Sequence, residues 1–106
     1  MQEQREDKRT SKIMDVIISP QPIREGMLET LATCKNISPT GIQLELTNRY
    51  QTGELLHLRC FSNTKNTYID VMCEVIWENQ TDEALYNLGL KFLNLSSADY
   101  ETLLAF

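Results

Sequence analysis

Hydrophobic and polar residues alternate along most of the chain after residue 12, which is the pattern of half-buried β-strands. In residues 41–46, for example, isoleucine and leucine hold every second position, and glutamine and glutamate lie between them. Pro20 and Pro22 predict the end of the first strand, because proline cannot donate to a central ladder. The predicted strands cover residues 12–19, 28–38, 41–46, 54–61, 68–78 and 84–95.

The fifth of these segments is the longest, and its apolar row ends at an aromatic residue. Val71, Cys73, Val75 and Trp77 fall on one face with Ile69, while acidic residues dominate the other face. This alternation predicts that the row faces the interior and that Trp77 belongs to the core.

The period changes near the C-terminus from two residues to that of a helix. Ser96 is a suitable N-cap with Asp99 three residues on, and Tyr100, Leu103 and Leu104 recur at helical spacing. A helix is therefore predicted over about 96–105. The predicted fold is all-β with this terminal helix: a small antiparallel barrel of six strands, closed at its end or edge by the helix.

Composition and charge limit the possible functions. The chain of 106 residues suits one domain, and a net charge of −5 argues against binding DNA or RNA, which depends on cations that neutralise phosphates. We find no apolar run of membrane-spanning length, so we expect no membrane insertion and a cytoplasmic protein. The basic residues are nevertheless concentrated at the N-terminus, in Arg5, Lys8, Arg9 and Lys12.

Few residues suit metal or catalytic chemistry. Cys34, Cys60 and Cys73 are widely spaced within apolar segments and are expected to be buried free thiols. One histidine, His57, lies in the middle of a predicted strand and is not expected to act as a base. We therefore expect no catalytic residue, no metal and no cofactor, and predict that the protein is not an enzyme.

Two short motifs change this picture when they are taken together. Arg5 and Arg9 form R-x-x-x-R before the first strand, and Asn36, Ser38 and Gly41 form N-x-S-x-x-G after the second. Alone, the first is a charged tail and the second a turn with proline at its second position. In this order they resemble the signature of the PilZ domain family. The segments CEVIW and NLGLKF and the terminal helix also resemble that family, so the resemblance covers nearly the whole chain.

The resemblance implies a six-stranded PilZ-type β-barrel with a C-terminal helix and binding of the bacterial second messenger cyclic di-GMP. Arg5 and Arg9 would contact guanine edges and phosphates, since a guanidinium matches the guanine O6 and N7 acceptors. Asn36 would meet the Watson–Crick edge of guanine. Ser38 would hydrogen-bond the ligand, and Gly41 would allow the backbone to approach closely.

Three further residues are weaker candidates for ligand contact: Gln4, Lys8 and Trp77. Gln4 stands where some family members have an arginine associated with a stacked ligand dimer, so its presence favours one ligand molecule per chain. Trp77 has two interpretations, either core or a lid at the barrel mouth that packs against a guanine.

The domain organisation that follows is a flexible arm over 1–12 and a barrel with its helix over 13–106. The protein would be a receptor or adaptor in which ligand orders the arm and presents a surface to a partner protein. The alternatives are a PilZ-like interaction module that does not bind nucleotide and, less favoured, a small nucleotide- or flavin-binding enzyme. A barrel that binds single-stranded nucleic acid would need a basic, aromatic face.

Overall fold

Six strands and one helix follow each other in a computed structural model that describes residues 9–21, 29–62 and 66–106. The elements are β1 (Thr10–Gln21), β2 (Thr30–Ile37), β3 (Gly41–Leu46), β4 (Leu55–Phe61), β5 (Tyr68–Asp82), β6 (Leu85–Phe92) and α1 (Ser97–Leu104). All neighbouring strands are antiparallel and close a barrel in the order β1-β2-β3-β6-β5-β4. The predicted fold class is confirmed.

The barrel interior is filled by the apolar member of each alternating pair, because successive side chains of a strand point to opposite faces. Every strand contributes residues that are essentially inaccessible to water, and removal of this apolar surface from water is the main stabilising term. The core includes Met14, Val16, Ile18, Cys34, Ile42, Leu44, Leu56, Leu58, Cys73, Val75 and Leu88.

The first strand is longer than its sequence predicts at both ends. It begins at Thr10, so residues 10–12 belong to the barrel, and it continues through Pro20, where the sequence predicts its end. Proline is accommodated because Pro20 pairs with Leu56 of β4, whereas the pairing with β2 within the described residues ends at Ile18. Among the described residues, Pro20 therefore has a partner in β4 alone, a setting that tolerates proline better than a ladder paired on both sides.

The terminal helix begins at its predicted N-cap and packs on the barrel. The Ser96 hydroxyl accepts a hydrogen bond from the Asp99 backbone N–H at 3.1 Å. Leu103 is fully buried in the core, and Tyr100 is partly buried against it. At the other end, the Lys12 ammonium donates to the Leu104 carbonyl at 3.0 Å, a favourable position for a cation at a helix C-terminus. This bond ties α1 to the start of β1.

Register shifts interrupt the ladders at places that matter for the outer surface. In each of the three below, one strand carries an extra residue, as in a β-bulge, and such a residue changes the direction of the side chains beyond it. These shifts fall between Ser11 and Met14 in β1, between Cys34 and Asn36 in β2, and between Val75 and Trp77 in β5.

Across the described ranges, no helix has both the length and the apolar character needed to cross a membrane. The same residues contain no group of histidine, cysteine and carboxylate side chains arranged to hold a metal ion.

Candidate functional site

Arg9, the first residue that the structure describes, contacts both polar residues of the N-x-S-x-x-G motif. Its Nε donates to Asn36 Oδ1 at 2.9 Å, and one terminal nitrogen donates to Ser38 Oγ at 2.8 Å. Arg9 and Ser38 are 29 positions apart in sequence and are brought together because β1 and β2 are antiparallel neighbours. The structure therefore joins the second arginine of one motif to the other motif.

Ser38 has a structural role in the loop between β2 and β3. Its side chain is completely buried, and its Oγ accepts from the backbone N–H of Gly41 at 3.2 Å and of Thr40 at 3.3 Å. The Ser38 N–H in turn donates to the Gly41 carbonyl at 2.9 Å, which closes the hairpin. Ser38 thus fixes the loop and holds Arg9, rather than presenting its hydroxyl to the surface.

Gly41 is required by close packing between strands. A Cβ at this position would meet the carbonyl oxygen of Leu90, far inside the 3.0 Å that real Cβ atoms keep from their neighbours. Leu90 is on β6, whose backbone passes directly beside the start of β3. The crowding is with the protein's own backbone, and Arg9 is the next nearest side chain.

A cavity of about 350 Å³ adjoins Arg9 on the outside of the barrel, over β3, β6 and β5. Its lining combines one guanidinium, one ammonium, one amide and an indole with backbone from two glycines. The lining residues are Arg9, Thr40, Gly41, Ile42, Gln43, Ile76, Trp77, Gly89, Leu90 and Lys91. Asn36 and Ser38 are not part of this lining, and both contact it through their hydrogen bonds to Arg9.

The prediction that Trp77 belongs to the core is wrong. Val75 pairs with Leu90 and Trp77 pairs with the next β6 residue, Gly89, so Ile76 is an extra residue in β5. This bulge ends the alternation: Val75 is fully buried, whereas Ile76 and Trp77 are 44% and 42% exposed. Trp77 lies on the outer wall of the barrel, where it is part of the cavity lining.

Gln43, Gly89 and Lys91 belong to the cavity but are not among the residues predicted from sequence. Gln43 pairs with Gly89 and Gly41 pairs with Lys91 across β3 and β6, so each polar side chain faces a glycine on the other strand. The alternation of β3 already places Gln43 outside the barrel. Only the pairing of β3 with β6 shows that Lys91 and Gly89 share its surface.

The remaining predicted ligand residues, Gln4, Arg5 and Lys8, lie outside the described residues. Their place in the site therefore stays a prediction, as does the flexibility predicted for the arm that contains them.

Cys34 lies in the barrel interior behind the site, as its burial and its neighbours show. Burial raises the pKa of the Cys34 thiol to about 12, although the nearby positive charges of Lys12 and Arg9 oppose this shift. Cys60 and Cys73 are also buried free thiols. These cysteines contribute to packing and remain protonated, hence unreactive, near neutral pH.

Comparison with known proteins places this geometry in a family. The family model for the PilZ domain matches residues 3–106. No curated protein matches the chain in sequence.

Solved structures share the fold at low sequence identity. The chain is similar to the inhibitor of motility MotI/DgrA of Bacillus subtilis, at 23% identity and a TM-score of 0.72, covering 97% of this chain and 49% of that one. This chain therefore spans about half the length of the Bacillus protein. It is also similar to the PilZ domain of YcgR from Escherichia coli with c-di-GMP, at 13% identity and a TM-score of 0.74, covering 96% of this chain and 87% of that one.

A structure of YcgR in complex with c-di-GMP, also from Escherichia coli, matches at 14% identity with a TM-score of 0.73, covering 95% of this chain and 43% of that one. At these identities the likeness establishes the fold. The family model extends over nearly the whole sequence, and the chain is therefore a member of the PilZ domain family.

Proposed function

We propose that this protein binds cyclic di-GMP at the cavity beside Arg9 and acts as a non-catalytic receptor. One observation carries the proposal: Asn36 and Ser38 hold the Arg9 guanidinium at the edge of a cavity that is also lined by Trp77. This arrangement combines a fixed donor fork with an aromatic surface, which are the two features that a guanine nucleotide needs.

The chemistry of each group suits one part of the ligand. A guanidinium donates two parallel hydrogen bonds, either to O6 and N7 of guanine or to phosphate oxygens. The exposed indole of Trp77 offers a flat apolar surface on which a base can stack. Lys91 adds a second positive charge to the lining, which favours a phosphate.

Asn36 and Ser38 act through Arg9 in this proposal. The amide oxygen of Asn36 and the hydroxyl of Ser38 are both occupied by the guanidinium. Holding the guanidinium in one orientation reduces the side-chain entropy that binding would otherwise cost. This differs from the sequence expectation, in which both residues contact the ligand themselves.

Two of the similar structures support the choice of ligand, since both are PilZ proteins in complex with c-di-GMP. The third similar protein is described as an inhibitor of motility. We infer from it the second half of the proposal, that ligand binding here is passed on to a partner protein.

Arg5 would complete the site from the N-terminal arm. We propose that cyclic di-GMP orders the segment before Arg9 and that this segment, together with the ligand, forms the surface that a partner recognises. Hydrogen exchange of residues 1–8 with and without cyclic di-GMP tests this step. Equal protection in both conditions would show that the arm is not the switch.

Calorimetric titration with cyclic di-GMP tests the binding itself. We expect saturable binding to the unmodified protein and a loss of at least tenfold in affinity for Arg9→Ala, because a charged hydrogen-bond partner is removed. Ser38→Ala should also weaken binding, since the guanidinium loses its fixed position. Arg59→Ala is the matched control, because Arg59 is on the outside of β4 and bonds Asp70 instead.

The outcomes separate this function from its alternatives. No binding by the folded, unmodified protein would favour a PilZ interaction module that does not bind nucleotide. Binding that Arg9→Ala and Ser38→Ala leave unchanged would place the ligand elsewhere and contradict the proposed site.

A further inference from the structure

Gln43 extends the contacts of Arg9 by one more residue. Arg9 Nε donates to Asn36 Oδ1 at 2.9 Å, and Asn36 Nδ2 donates to Gln43 Oε1 at 2.9 Å. Gln43 is on β3, directly paired with Asn36 on one side and with Gly89 on the other. It is also part of the cavity lining. The three side chains form a hydrogen-bonded series from the guanidinium to the cavity wall.

The chemistry of the guanidinium determines the orientation of both amides. Arg9 has only donors, so Asn36 must turn its oxygen toward Arg9. The amide nitrogen of Asn36 then faces Gln43, and Gln43 must accept this hydrogen bond with its side-chain oxygen. The Gln43 nitrogen, Nε2, is consequently directed away from Asn36. The donor and acceptor character of the neighbouring groups by itself sets both amide orientations.

Three polar side chains of the cavity lining can then donate to a ligand, and the Thr40 hydroxyl can donate or accept. Arg9 and Lys91 carry only N–H donors, and Gln43 adds the two hydrogens of Nε2. Gln43 and Lys91 are paired with Gly89 and Gly41 across β3 and β6, and the indole of Trp77 lies against Gly89 beside them. A donor wall suits a ligand edge that consists of acceptors.

We propose, on the basis of the function proposed above, that Gln43 is a positioning and specificity-determining residue that orients Asn36 and turns its own amide N–H groups toward the ligand. Guanine presents two acceptors, O6 and N7, on its major-groove edge, whereas adenine presents one acceptor and the N6 amino donor. Gln43 therefore favours a guanine dinucleotide over its adenine counterpart, because the N6 amino group would meet a donor.

Gln43→Glu is the sharpest test. A carboxylate at this position still accepts from Asn36 Nδ2, so the orientation of Asn36 is kept, but it presents an acceptor to the cavity. We expect the affinity ratio of cyclic di-GMP over cyclic di-AMP to fall by about tenfold or more, the discrimination of one good base contact. Gln80→Glu adds the same charge on β5 outside the cavity lining and should leave the ratio unchanged.

Asn36→Asp tests the orientation argument separately. Both carboxylate oxygens are acceptors, so Gln43 must now donate through Nε2 and turn its oxygen to the cavity. The ratio should fall in this variant as well. Gln43→Met should lower the affinity for cyclic di-GMP about tenfold in the unmodified protein, but far less in the Asn36→Asp background.

A spectroscopic measurement without ligand completes the test. The Arg9 Nε–H and Asn36 side-chain amide resonances should shift in Gln43→Met and change little in Gln80→Glu. If the unmodified protein binds neither dinucleotide, the proposed function is wrong. If it binds cyclic di-GMP but Gln43→Glu keeps the affinity ratio, or if the resonances of Arg9 and Asn36 do not respond to Gln43→Met, the role of Gln43 is wrong while the proposed function stands.

Discussion

The indole of Trp77 lies directly against the backbone of Gly89, in the space that a Cβ at Gly89 would fill. Trp77 and Gly89 are paired residues of β5 and β6, immediately after the β5 bulge. Because Gly89 has no side chain, the exposed indole of Trp77 can pack against its backbone on the outer wall. The cavity depends on this pair, because the bulge turns Trp77 outward and the glycine leaves space for the indole.

Gly89→Ala should displace the indole and weaken ligand binding. The new Cβ would be much closer to ring atoms of Trp77 than the 3.0 Å that real Cβ atoms keep from their neighbours, so the indole must move away from Gly89. We expect about a tenfold loss of affinity for cyclic di-GMP, as for the loss of one stacked base. Titration calorimetry and Trp77 fluorescence measure the two effects. Trp77→Ala should cost a similar amount, and the double variant should cost no more than either; additive losses would contradict this coupling.

Lys91→Gln should weaken binding modestly and reduce its dependence on salt. Lys91 lines the cavity, so its charge can act on a phosphate of the ligand, and screening by salt reduces such interactions. We expect up to about a fivefold loss of affinity at low ionic strength. Lys35→Gln removes an equal charge from β2, where Lys35 is 3.7 Å from Glu45, and should have no effect. Equal effects of the two variants would mean that Lys91 acts only through net charge.

The buried cysteines should make the fold sensitive to alkali. Burial raises the pKa of Cys60 to about 12 from its ordinary value of 9.0, and raises that of Cys34 similarly. Above pH 9 the unfolded chain loses thiol protons that the folded chain keeps, so stability falls as pH rises toward 12. The slope is at most about 1.4 kcal/mol per pH unit for each thiol. Urea unfolding between pH 8 and pH 11 measures it.

Cys60→Val is the control for that experiment, because valine fills a similar volume without a titrating group. Its unfolding free energy should decline less steeply with pH than that of the unmodified protein. Identical pH profiles would show that the Cys60 thiol does not contribute.

Asp70 should contribute to stability in acid. Arg59 donates to both of its carboxylate oxygens, at 2.8 Å and 3.2 Å, and these hydrogen bonds lower the Asp70 pKa below its ordinary value. A lowered pKa stabilises the fold above the ordinary carboxyl pKa, and this contribution is lost as the pH falls through the folded value. Asp70→Asn should therefore flatten the pH dependence of stability below about pH 4. Asp15→Asn, on the outside of β1, is the control; equal flattening by both would contradict the prediction.

The strands and the helix can be predicted from the sequence because their signals are local. Alternation in residues 41–46 and the cap at Ser96 depend on neighbours a few positions away, and both predictions agree with the structure. The ends of the strands are harder to predict from the sequence. Whether Pro20 ends β1 depends on which edges of β1 are paired, and that is a property of β2 and β4.

The candidate site can be predicted from the sequence only in part. The motifs identify Arg9, Asn36 and Ser38, and the structure brings these three together. The burial of Ser38 and the participation of Gln43 were not accessible from the motifs, because both follow from contacts between β1, β2 and β3. The sequence assigns residue types, whereas the pairing of strands decides which of them face the same space.

Local patterns in the sequence define the strands, the inward or outward side of each strand up to its bulge, and the residues of the two motifs. The direction of the side chains beyond the register shifts near Asn36 and Trp77 depends instead on how the strands pair in three dimensions. A bulge places two residues of one strand opposite one residue of its partner, so a bulge exists only once the two strands are paired. The sequence of one strand alone therefore does not show where a bulge will form. Alternation within β5 alone predicts that Trp77 faces the core, whereas the pairing of β5 with β6 places it on the outer wall, in the cavity lining.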